Sequence, residues 1–131
     1  MKRLLGLCLV ILSLLAAPAS RASFHLFVID QIYSNADGTV QFIVLSTSAG
    51  GQEFVGGHAV TATGPGGTQI FNFPSNLPGD SAGHRVLIAT SGFAALGIVT
   101  PDFVVPNGFV PLTNGTVNYA GVSQILSLIH I

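Results

Sequence analysis

Asp80, His84 and Arg85 stand close together behind a Pro78-Gly79 turn. An acid, an imidazole and a guanidinium in one short stretch could clamp an anion, with Arg85 supplying fixed charge and a fork of donors. The same residues suit a structural role, in which Arg85 pairs with a neighbouring carboxylate and pins the 74–83 loop. They are the binding candidates of the chain. His25, His58 and His84 are the further groups able to ligate a metal or carry a proton, but no two share the close spacing by which one strand or helix holds an ion. No serine lies in Gly-x-Ser-x-Gly. Glu53 is the only glutamate and tryptophan is absent, which argues against a carboxylate pair working beside a sugar platform. Asn35-Ala36-Asp37-Gly38 invites comparison with a calcium loop. With Gly38 in the sharp-turn position, however, Tyr33 and Val44 fall where carboxylates are required, so the segment is read as a hairpin turn. No catalytic, cofactor-binding or metal-binding residue is therefore expected, and a small enzyme would need His58, His84 and an acid to converge on one pocket.

The chain of 131 residues has room for one domain, and its charged content of 7 % is far below the usual ~25 %. Coiled coils and charge-driven disordered tails are excluded on that ground. Met1-Lys2-Arg3, an apolar run over residues 4–17 and the small residues that follow read as a secretory signal peptide at 1–22, with cleavage expected after Ala22 and Ala19 as the alternative point. As a helix the apolar run would span about 21 Å, short of the roughly 30 Å hydrocarbon core of a bilayer. Cleavage removes Cys8 with Lys2, Arg3 and Arg21, leaving Arg85 as the sole base against Asp30, Asp37, Glu53, Asp80 and Asp102. A mature chain of this kind has no disulfide and no thiolate. It also lacks the cations that phosphate binding needs, so no nucleic acid is expected as a partner.

Elements that would position these residues read as β throughout. Residues 24–33 and 39–46 flank the 34–38 turn as a hairpin. Residues 58–63 and 68–73 flank Gly64-Pro65-Gly66-Gly67 as a second hairpin. Residues 85–90 hold Val86-Leu87-Ile88-Ala89, apolar on both faces, which suits a strand covered on both sides. Residues 91–96 suggest one helical turn, with Ser91 as its N-cap and Gly97 at its stop. Pro101, Pro106 and Pro111 punctuate a stretch along a sheet edge, and residues 116–119 form a last short strand after Asn114-Gly115. Phe71, Phe73, Phe93, Phe103 and Phe109 are expected in the core. The fold class is all-β, a β-sandwich with one short helical turn near 91–96.

Read in order, Leu26-Phe27-Val28-Ile29-Asp30-Gln31-Ile32-Tyr33, Gln41-Phe42-Ile43-Val44-Leu45, Gly57-His58-Ala59-Val60, Phe71-Asn72-Phe73-Pro74 and Gly83-His84-Arg85-Val86-Leu87-Ile88 resemble the lamin-tail domain. The likeness spans roughly residues 24–125. Secreted bacterial members are more similar still, through Ile32-Tyr33-Ser34-Asn35-Ala36-Asp37-Gly38, Phe73-Pro74-Ser75-Asn76-Leu77 and the stretch from Leu87 to Leu96. The resemblance implies an immunoglobulin-like β-sandwich with no catalytic residues to carry over. Val44 and His58 depart from the family pattern, which usually has glutamate at the first and often tryptophan at the second.

The expectation is thus a lamin-tail-like domain at 23–125, exported to a periplasmic or extracellular location. It would act as a non-catalytic structural or interaction module of a secreted bacterial protein, with no cofactor, a protein or cell-surface partner and no membrane span in the mature chain. The alternative is the N-terminal accessory domain of an exported hydrolase. Residues 126–131, Leu-Ser-Leu-Ile-His-Ile, resemble a translated sequencing adapter and are read as a non-native tail, with the native chain continuing past Ile125.

Overall fold

The computed structural model describes residues 24–126, with the backbone alone described over 122–126. The expected signal peptide and residues 127–131 lie outside them. In chain order the elements are β1 (Val28–Ser34), β2 (Gln41–Ser46), β3 (Ala59–Gly64), β4 (Gly67–Asn72), β5 (Arg85–Thr90), α1 (Ser91–Ala94), β6 (Phe103–Val105), β7 (Gly115–Tyr119) and β8 (Val122–Leu126). They form two four-stranded sheets, β1-β2-β5-β6 and β4-β3-β7-β8. All strand pairs are antiparallel except β5 with β6. The protein is an all-β sandwich with one short helix.

Period-two alternation decides which faces meet. Gln41, Ile43 and Leu45 of β2 are buried while Phe42, Val44 and Ser46 are half-buried on the other face. Val60 and Ala62 of β3, with Val117 and Tyr119 of β7, line the opposing inner face. Each large apolar side chain removed from water here contributes about 1.5–3 kcal/mol. β5 is covered on its inner face, where Val86 and Ile88 point into the core, and only in part on its outer face, where Ala89 is fully buried, Leu87 half-buried and Arg85 exposed. Phe73, Phe103 and Phe109 are buried in the core and Phe71 packs against it. Phe93 differs from expectation. It stands on the outer face of the first sheet, edge-on to Phe42 at 5.6 Å, and Phe42 in turn stacks on Tyr33 at 5.3 Å.

Parallel pairing of β5 and β6 requires a crossover, and α1 begins it directly after β5. Its N-cap is Thr90, one residue before the expected Ser91: Thr90 is extended (φ −69°, ψ 159°) and its Oγ1 accepts from the Phe93 N–H. The same hydroxyl donates to the Thr39 carbonyl at 2.7 Å and accepts from the Gln41 N–H at 3.0 Å. One buried side chain thereby caps the helix and ties it to β2. β1 carries a bulge between Ile29 and Gln31 that leaves Asp30 as the extra residue. β8, paired along β7, extends the sheet beyond the last strand read from the sequence, after a tight turn in which Ala120 takes φ 49° and Gly121 φ 84°.

Candidate functional site

Two loops cross at one end of the sandwich, the 47–58 connection between the sheets and the 73–84 return. The buried Ser81 fastens them: its Oγ accepts from the Gln52 N–H at 2.8 Å and donates to the Ala49 carbonyl at 2.9 Å. Gln52, fully buried, passes the tie on, because its Oε1 accepts from the Leu26 N–H at 3.0 Å. Asp80 belongs to the same knot, with Oδ1 accepting from the N–H groups of Gly51 at 3.2 Å and Ala82 at 3.3 Å. Glu53 contributes its carbonyl, which receives the N–H groups of Val55 and Leu77, both at 2.9 Å. Asn76 Oδ1 accepts from the Gly56 N–H at 2.9 Å.

An open groove of about 600 Å³ lies beside this knot, with Leu26 and Val28 on one side, Ser46 to Ala49 along the floor and Gly83, His84 and Arg85 on the other. His84 and Arg85 therefore share a surface. Asp80 does not line the groove, as its carboxylate is turned into the two loops. Arg85 pairs with Asp30 at 3.3 Å, not with a carboxylate of the 74–83 loop. The reason is register. Arg85 lies opposite Ser46, Ser46 lies opposite Val28, and Asp30, two residues on from Val28 at the bulge, shares their outer face. The pair thus holds the β1 bulge, while Asp80, Ser81 and Asn76 hold the loop. With a side chain 64 % exposed, Arg85 gains at most about 1 kcal/mol from the contact.

The remaining candidates are dispersed over the fold. His58 stacks on Phe24, ring centroids 3.4 Å apart, and Phe24 stands edge-on to Tyr119. His25 also lies edge-on to Phe24. His58 and His84 occupy different surroundings, and Glu53 sits in the loop between the sheets. Among the described residues no group of three or more His, Cys, Asp or Glu is close enough to share a metal ion. Asp37 works within its turn: Oδ1 accepts from the Thr39 hydroxyl at 2.6 Å and the Thr39 N–H at 3.0 Å, and Gly38 takes φ 73°. These bonds, the hydroxyl foremost, hold the Asp37 carboxyl below the ordinary carboxylate range. Asp102 extends the β5–β6 pairing, its Oδ2 accepting from the Leu87 N–H at 2.7 Å while its own N–H donates to the Leu87 carbonyl at 2.9 Å.

A second cleft of about 210 Å³ under the β3–β4 turn is lined by Gln69, Phe109, Pro111 and Leu112 among others, with no ionisable side chain in its walls. Among the described residues no helix is long and apolar enough to cross a membrane. Together these features define a two-sheet β-sandwich in which Asp30 pairs with Arg85 and Asp37, Asp80 and Asp102 hold a turn, two loops and a strand pairing, while Glu53 buries a carboxylate oxygen, Oε2, that has no hydrogen-bond partner among the described residues. Comparison with protein-family models, with curated proteins and with solved structures gives no match.

Proposed function

We propose that this chain is a lamin-tail-like, immunoglobulin-like sandwich serving as a non-catalytic structural or interaction module of a secreted bacterial protein. The observation that carries the reading is how the four aspartates are used; the fifth acid, Glu53, sits in the 47–58 loop with Oε2 buried and unpartnered among the described residues, where it forms no shared cluster of three such groups with His58 and His84. Asp30 holds Arg85, Asp37 closes a turn, Asp80 joins two loops and Asp102 prolongs a strand pairing. A general acid or base must instead be left within reach of a reacting group. Apolar side chains are what the surface offers: Val28, Tyr33 and Val104 on the first sheet and Leu96, Ile98 and Val99 after α1 are all exposed. Contact with another macromolecule would cover such side chains.

Turnover tests the reading. The purified chain is assayed against ester, glycoside, phosphodiester and peptide substrates beside His58→Ala and His84→Ala variants. No turnover that either substitution abolishes is expected. Turnover lost with His84→Ala would replace this reading with a small enzyme built on the groove. N-terminal sequencing of the exported form checks the compartment, with Ser23 expected as the first residue.

A further inference from the structure

A sheet edge presents unpaired N–H and C=O groups to any strand that can lie beside it, and proteins that must stay single protect such edges with charge, proline, bulges or shortness. β1 is interrupted by the Asp30 bulge. β6 is three residues long and lies between Pro101 and Pro106. β8, the far edge of the second sheet, comes close to β1 of the first. β4 has none of these devices. Its six residues, Gly67-Thr68-Gln69-Ile70-Phe71-Asn72, contain no charge and no proline, and they pair with β3 in unbroken register.

The ladder determines which groups of β4 are left over. Phe73, opposite His58, donates its N–H to the His58 carbonyl at 2.8 Å. Alternation from that bond turns Phe71, Gln69 and Gly67 toward β3, and Thr68, Ile70 and Asn72 outward. All three outward residues are exposed, Ile70 by 62 %. Among the described residues the only hydrogen bond from a side chain of the three joins the Thr68 hydroxyl to that of Thr63 on the sheet face.

We infer that β4 pairs antiparallel with β4 of a second copy of this chain, about a two-fold axis through Ile70. The inference deepens the interaction-module reading and rests on it. Two features of the strand select a second copy. The outward residues run polar, apolar, polar, so a two-fold axis at Ile70 sets Ile70 against Ile70 and Thr68 against Asn72, with matching chemistry at each position. The charge distribution agrees, since a chain with one base against five acids beyond its leader repels its own copies wherever acids face each other. Its acids lie on the first sheet, on the 34–38 turn and in the loops, and β4 is an edge along which two copies meet without opposing like charges. Pairing covers both Ile70 side chains and joins the two second sheets into one.

Sedimentation equilibrium of the purified full chain, from about 1 to 100 μM where a weak dimer dissociates, is the test. Ile70→Pro removes an N–H that β3 does not use, so it is compatible with the folded edge and blocks the partner strand. The wild type is expected to be dimeric at the upper concentrations, Ile70→Pro monomeric with an unchanged far-UV circular dichroism spectrum, and Ile70→Val dimeric. Amide exchange gives a readout independent of that variant, with slower exchange at Thr68, Ile70 and Asn72 as concentration rises. A wild type monomeric throughout, or a dimer undiminished in Ile70→Pro, overturns the inference. So does protection of those amides only on adding a foreign extended peptide. A monomer leaves the non-catalytic reading standing, and turnover in the assays above leaves the dimer standing, so the two fail separately.

Discussion

Gln41 grips the peptide groups of Val110 on both sides: its Oε1 accepts from the Val110 N–H at 2.9 Å and its Nε2 donates to the Val110 carbonyl at 2.7 Å. Gln41 is 1 % exposed, so this amide does inside the core what a neighbouring strand does in a ladder, joining β2 to the segment between β6 and β7. Its Nε2 also reaches the Ser34 hydroxyl at 2.9 Å. Gln41→Met keeps most of the volume and leaves a buried N–H and a buried C=O unpaired. It is expected to cost about 3 kcal/mol in urea unfolding, since each stranded group costs roughly 1–3 kcal/mol.

Gly92 lies in α1, where alanine has the better helix propensity. A Cβ there would fall on the Thr39 carbonyl oxygen, backbone that cannot step aside cheaply. Gly92→Ala is therefore expected to destabilise by about 1–3 kcal/mol, the range for overpacking, against the sign that propensity alone predicts. Thermal unfolding of the variant decides between the two.

The lowered Asp37 carboxyl has a defined pH signature. Its folded-state pKa is depressed, so the contribution is present above the ordinary carboxylate pKa and is lost as pH falls through the folded value. Asp37→Asn is expected to flatten the acid limb of a stability–pH curve. Carbon-detected NMR titration of Asp37 should give a midpoint below the usual carboxylate value, and Thr39→Ala should move it back up.

Tyr119, fully buried, donates its phenol to the Phe24 carbonyl at 2.5 Å, and burial pushes that phenol well above its ordinary pKa. The raised folded-state value makes the contribution complete below the unfolded phenol pKa of about 10, and it is lost as pH climbs beyond. Tyr119→Phe keeps the ring packing against Phe27 and Phe73 and should cost about 1 kcal/mol at neutral pH. It should also remove part of the alkaline loss of stability, read by unfolding at neutral and alkaline pH.

The central strands were legible because each holds four consecutive apolar residues, Phe42-Ile43-Val44-Leu45 in β2 and Val86-Leu87-Ile88-Ala89 in β5. The two hairpin turns were legible because Asp37-Gly38 and Gly64 to Gly67 are strong turn sequences. β6 escaped as a strand because three residues between prolines show no period. β8 escaped because its turn is made by Ala120 at positive φ, a conformation that alanine does not announce. The Arg85 partner was misplaced because it lies across β2, at a bulge visible only once register is set. Gln41, Gln52 and Ser81 were missed for a compositional reason: amides and hydroxyls are mostly exposed, and only the fold shows these buried against backbone groups that need them.

Urea unfolding of Ser81→Ala, His84→Ala and Arg85→Ala side by side tests most directly whether the polar groups around the groove fasten the fold or stand on its surface. Ser81→Ala leaves the Gln52 N–H and the Ala49 carbonyl without their partner, and should cost about 2 kcal/mol. His84→Ala and Arg85→Ala should each stay within about 1 kcal/mol of wild type, as exposed side chains do. A near-neutral Ser81→Ala beside a strongly destabilising His84→Ala or Arg85→Ala would contradict the division of roles described above.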